Sequence, residues 1–108
     1  MPPSNLRSNP EEAGSVKRLL LPTKAFERSA KRFLKKNPSL ADDLGVALEC
    51  LANDAFDPAL RTHKLKGKLA GSWACSAGYD LRIVFQFVKY KNSDAVLLAS
   101  VGSHDEVY

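Results

Sequence analysis

The last third of the chain constrains the fold most. Three strand-like runs follow one another there, Gly71 to Ala77, Tyr79 to Tyr90 and Ala95 to Val101. They are divided by the turn signals Ser76-Ala77-Gly78 and Lys91-Asn92-Ser93-Asp94. Turns this short can only fold the chain back on its neighbour, so the runs predict an antiparallel meander. In the middle run, Leu81, Val84, Phe85, Phe87 and Val88 mix alternation with near-continuous apolarity, which predicts a central strand covered by helices.

The segments upstream supply that cover. Val16 to Leu21 is a short run, apolar at its end and closed by Pro22, which reads as a first strand. Thr23 is placed to cap a helix over Lys24 to Asn37. In it Phe26, Ala30, Phe33 and Leu34 recur at helical spacing, while Lys24, Arg28, Lys31, Arg32, Lys35 and Lys36 crowd the rest of the surface. Pro38 ends this helix, and Ser39 with Asp42 resembles a capping box for a second. Leu40, Leu44, Ala47, Leu48 and Leu51 give the second helix its apolar stripe. Asn53 to Pro58 breaks the pattern and leads into Arg61 to Lys68, a basic stretch without an acid that holds His63. The order β-α-α-β-β-β predicts an α+β domain, a two-helix hairpin packed on an antiparallel sheet.

A chain of 108 residues is too short to divide into two self-sufficient cores, so residues 16–108 read as one domain. Residues 1–15, rich in Pro, Ser, Asn and Glu, read as a flexible tail. No apolar run approaches the ~18 residues of a membrane span, and the N-terminus lacks the apolar stretch of a secretory signal, which places the protein in the cytoplasm. Cys50 and Cys75 lack the short paired spacings of a zinc or redox motif and read as reduced, partly buried thiols. A formal net charge of +4 favours an anionic partner.

There is no phosphate-binding glycine loop, no nucleophile elbow and no strong metal-ligand spacing, so the reading calls for no cofactor and no metal. What remains is acid–base chemistry on phosphate. His63-Lys64-Leu65-Lys66-Gly67 precedes the meander, Gly102-Ser103-His104-Asp105-Glu106-Val107-Tyr108 follows it, and Gly78-Tyr79-Asp80-Leu81-Arg82-Ile83-Val84-Phe85 lies between.

In that order and at those distances, these segments resemble the RelE/ParE toxin superfamily, and within it the YafQ- and RelE-type mRNA interferases, from about Leu19 to the C-terminus. The resemblance implies the toxin of a type II toxin–antitoxin pair. Such an endoribonuclease occupies the ribosomal A site and cuts mRNA by metal-independent attack of the ribose 2′-OH on the adjacent phosphate. It implies that His63 and His104 move protons, since an imidazole can serve as acid or base near neutral pH. Arg82 would neutralise charge building on the phosphate. Tyr108 would stack on a base or use its hydroxyl in proton transfer. Asp80 falls near a carboxylate position that orients a histidine.

Lys64 and Lys66 share a face if their segment is extended, and with Arg61 and Lys68 they would hold the nucleic-acid backbone. The partners implied are a cognate antitoxin, mRNA and ribosomal RNA. The His-Asp-Glu ending resembles the histidine-based YafQ-like branch more than the basic RelE branch. YafQ-like members, however, carry a further histidine in the second strand of the meander that this chain lacks. Two alternatives stay open, a ParE-type inhibitor of DNA gyrase that is not an enzyme, and a catalytically silent relative that binds RNA or antitoxin.

Overall fold

The computed structural model of the chain describes residues 17–78 and 80–103. The first strand, β1 (Leu19–Pro22), passes through Thr23 into α1 (Lys24–Lys36). Thr23 does cap this helix, with its Oγ1 accepting from the Phe26 N–H at 3.0 Å and donating to the Leu98 carbonyl at 2.8 Å. One side chain therefore starts the helix and fixes it to the sheet.

Pro38 does not begin the second helix directly. Pro38–Leu40 forms a 3₁₀ turn, and α2 (Ala41–Asn53) starts after it, with Leu40 at the N-cap and no side-chain cap bond. The capping box expected of Ser39 and Asp42 does not form, because the turn that Pro38 initiates already occupies Ser39.

The chain then enters β2 (His63–Lys64), β3 (Trp73–Ala77), β4 (Leu81–Tyr90) and β5 (Ser93–Gly102). The sheet order is β1-β5-β4-β3-β2, with β4 at the centre as its apolar run predicts. The meander is antiparallel, and two features add to the expected sheet. β1 joins β5 in parallel, with Leu20 opposite Val96, so the sheet is mixed. His63 and Lys64 form a fifth, two-residue strand opposite Ala74 and Trp73. A parallel neighbour needs a crossover, and the helical hairpin between β1 and the meander provides it.

Both helices cover one face of the sheet. Phe26 and Phe33 from α1 and Leu44, Ala47 and Leu51 from α2 meet Cys75, Leu81, Ile83, Phe85, Val96, Leu98 and Val101 in one core. Leu51 and Phe85 are fully buried at its centre. The β4–β5 turn is tight because Lys91 and Asn92 both adopt left-handed backbone, with φ of 51° and 66°, the geometry that matches strand twist in a two-residue hairpin.

Candidate active face of the sheet

Residues directly opposite one another in a ladder share a face, so the register shows which side chains meet. Cys75, Ile83 and Val101 form one row that points into the helices. The neighbouring rows point away. One contains His63, Ala74, Val84 and Ser100, and the next contains Ser76, Arg82 and Gly102. His63 and Arg82, far apart in sequence, thus lie on the same face of the sheet. Two strand spacings and one two-residue step separate them, roughly 12 Å between Cα atoms on ideal sheet dimensions. Both side chains are long enough to lean toward one group between them.

The local geometry around each has a cause. Arg61 closes a short 3₁₀ turn (Pro58–Leu60) in left-handed conformation, which directs its carbonyl at the His63 ring, 2.8 Å from Nδ1. A carbonyl oxygen only accepts, so Nδ1 carries the proton and the lone pair of the neutral ring is on Nε2. Arg82 is half-buried, and its Nη1 donates to the Leu81 carbonyl at 3.3 Å, which bends the guanidinium over the strand. Beside this row Gln86 Nε2 approaches Ser72 Oγ at 3.4 Å, adding polar groups to the same face.

Next to Arg82 the ladder is irregular. Val84 pairs with Ser100 and Phe85 with Leu98, leaving Ala99 as an extra residue in β5. This bulge lets Leu98 and Val101 both face the core. It also diverts the Val101 N–H to Ser29 Oγ at 3.0 Å, and the same hydroxyl donates to the Phe26 carbonyl at 2.9 Å. A bulge re-aims side chains at the end of a strand, and here α1 holds it in place.

The basic stretch divides between the faces. Lys64, opposite Trp73, is on the helix side, with its Nζ 5.5 Å from the indole centroid. Lys66 is extended and exposed, and Lys68 lies in a 3₁₀ turn (Gly67–Leu69). Arg61, Lys66 and Lys68 are all exposed. Asp80 is exposed in the β3–β4 turn. His104 and Tyr108 lie outside the described residues, but Gly102, two residues before His104, is the cross-strand partner of Arg82.

Gln86 and Tyr90, which the sequence did not single out, lie on the same face as Arg82, since a strand places even-numbered neighbours on one face. Both thiols are protonated. Burial foremost, and then nearby Cys50, pushes the Cys75 thiol up to about 12. Burial first, and then Asp57 and Asp54, raise Cys50. Among the described residues no group of three or more His, Cys, Asp and Glu side chains is placed to hold a metal ion. None of the described helices is long and apolar enough to cross a membrane.

A five-stranded mixed sheet with a helical hairpin on one face matches RelE-like toxin folds, as the solved structures show. YafQ from E. coli matches at a TM-score of 0.69 with 12% identity, covering 85% of this chain and 99% of its own. A conserved hypothetical protein from Helicobacter pylori matches at 0.66 with 25% identity, covering 84% and 99%. The E. coli DinJ–YafQ toxin–antitoxin complex matches at 0.67 with 14% identity, covering 86% and 99%. No curated protein matches the chain in sequence. The model of the family described as "Bacterial toxin of type II toxin-antitoxin system, YafQ" matches residues 18–108, and the chain belongs to that family.

Proposed function

We propose that this YafQ-type toxin is an endoribonuclease that cleaves mRNA in the ribosomal A site of the cytoplasm, held in check by a cognate antitoxin. The observation that carries the reading is the placement of His63 and Arg82 on one sheet face, with Gly102 leading toward His104 from the strand beside Arg82. The reaction needs few parts. The 2′-oxygen bonds to the adjacent phosphorus, the bond from phosphorus to O5′ breaks, a base takes the 2′ proton and an acid supplies one to O5′. His63 and His104 fill the acid and base roles, and Tyr108 stacks on a base or assists proton transfer. Arg82 meets the charge that grows on the phosphoryl oxygens. Arg61, Lys66 and Lys68 hold mRNA phosphates near His63, and Lys64 and the exposed cations of α1, on the helix side, meet ribosomal RNA, which predicts binding that weakens steeply with salt.

The antitoxin partner is supported by the DinJ–YafQ complexes among the structural matches. The test is primer extension on mRNA incubated with purified toxin, with and without programmed ribosomes, for wild type, His104→Ala and Arg82→Ala. Cuts confined to ribosomes and lost in both variants are expected. Cuts that persist unchanged in the variants would remove the assigned roles, and the absence of any cut would remove the nuclease reading.

A further inference from the structure

The end of the sheet where β4 turns into β5 carries a second feature. A cleft of about 530 Å³ opens there, lined by Lys17, Arg18, Leu19, Tyr90, Lys91 and Asp94. It contains two of the chain's exposed large hydrophobic side chains, Leu19 at 53% and Tyr90 at 43%. Lys17 and Lys91 flank them, Arg18 holds its guanidinium 5.0 Å from the Phe87 ring centroid on the helix side, and the one lining carboxylate is engaged, with Lys89 Nζ 2.6 Å from Asp94 Oδ1. Lys91 holds its ammonium 5.3 Å from the Tyr90 ring centroid. An aromatic platform, an aliphatic wall and surplus positive charge match an unpaired nucleotide, with its base on the ring and its phosphates on the cations. The volume is within the range of small-molecule sites.

Position strengthens the match. Tyr90 lies on the same strand and face as Arg82 and Gln86, eight residues beyond Arg82, or roughly 26 Å along β4. That distance corresponds to roughly eight nucleotides of stacked single strand and about half as many when the backbone is extended. We infer that the Tyr90–Lys91 cleft is a second RNA subsite that stacks an unpaired nucleotide several steps from the scissile phosphate and sets the register of the strand over Arg82. The inference rests on the proposed RNA-cutting function and adds a site to it.

The test uses the full chain and fluorescein-labelled 2′-O-methyl oligouridylates of four, eight and twelve nucleotides, which bind but cannot be cut because the 2′-oxygen is blocked. Anisotropy titrations should show about tenfold tighter binding of the twelve-mer than of the four-mer, the gain of one well-stacked base. Tyr90→Ala and Lys91→Glu should abolish that gain and leave four-mer binding unchanged, while Tyr90→Phe keeps it. Equal affinity for all lengths, or a length gain that survives Tyr90→Ala, overturns the subsite. Ribosome-programmed cleavage by wild type, run in parallel, separates the two readings. Cleavage without a length gain leaves the proposed function standing and removes the subsite, and a length gain without cleavage does the reverse. If Tyr90→Ala instead releases a co-expressed antitoxin while the length series is unchanged, the cleft is a protein-docking surface and the inference fails.

Discussion

Along β4, Leu81, Ile83 and Phe85 point into the helices and are at most 1% exposed, while Arg82, Gln86 and Tyr90 on the same strand point the other way and keep polar groups near the surface. The first set packs in the core with apolar side chains and the buried Cys75 thiol. The second set lies with His63, Ser72 and Ser100 and has little apolar area to lose. The difference teaches that one strand can divide its side chains by parity, odd residues into the core and the even residues Arg82, Gln86 and Tyr90 toward the surface, with Val84, buried at 4% beside Ala74, the even exception. Substitutions on the two faces should therefore fail in different ways.

The largest expected effect is on the helix side. Phe85→Ala removes a fully buried ring from the centre of the core and should lower unfolding free energy by about 3–5 kcal/mol in urea titration, enough to leave a small domain largely unfolded. Cys75 reports on the same face without a substitution. With its thiol pushed up to about 12, it should react with iodoacetamide at pH 8 about a thousandfold more slowly in the folded protein than after unfolding. The sign of the linkage follows. The unfolded thiol releases its proton at lower pH than the folded one, so the contribution of Cys75 to stability is fully present below about pH 8.5 and declines as pH rises toward about 12.

On the other face, Arg82→Ala should reduce cleavage by about 10²–10³-fold while moving the urea midpoint by less than about 1 kcal/mol equivalent. A large stability loss in Arg82→Ala, or none in Phe85→Ala, would break the division by parity. Gly45 sharpens it from the scaffold side. A Cβ added there meets nothing within 4 Å, so Gly45→Ala should stabilise α2 by about 0.5–1 kcal/mol and leave cleavage unchanged. The smallest effect belongs to the Lys89–Asp94 pair, whose side chains are 72% and 40% exposed. The hydrogen bond and charge of Lys89 hold the Asp94 carboxyl below its usual range. Its contribution is present above the ordinary carboxylate range and lost as pH falls through the lowered value. In Lys89→Met the Asp94 titration, followed by NMR, should return toward the ordinary range with little change in stability at pH 7.

Much of this architecture was legible in local chemistry. The cap at Thr23, the amphipathic stripe of α1 and the stop at Pro38 each depend on residues within about one turn of one another and appear where the residues dictate, while the turn expected over Lys91 to Asp94 tightens to Lys91-Asn92, with Ser93 and Asp94 already in β5. Apolar continuity in Leu81–Val88 likewise marked the central strand. His63 and Arg82 could be named from their residue types and motif context.

Their meeting on one face could not. It depends on β2 pairing with β3 so that His63 falls opposite Ala74, and on β3 pairing with β4 so that Arg82 falls opposite Ser76. A shift of one residue in either ladder would turn one of the two side chains to the helix side, because strand side chains alternate with a period of two. The bulge at Ala99, the parallel docking of β1 and the division of His63 from Lys64 between opposite faces are of the same kind. Sequence by itself determined the elements and the chemical groups they carry, since those follow from short-range sterics and hydrogen bonding. Only the tertiary structure decided which groups face the same way, because that is set by strand register and core packing between residues distant in the chain.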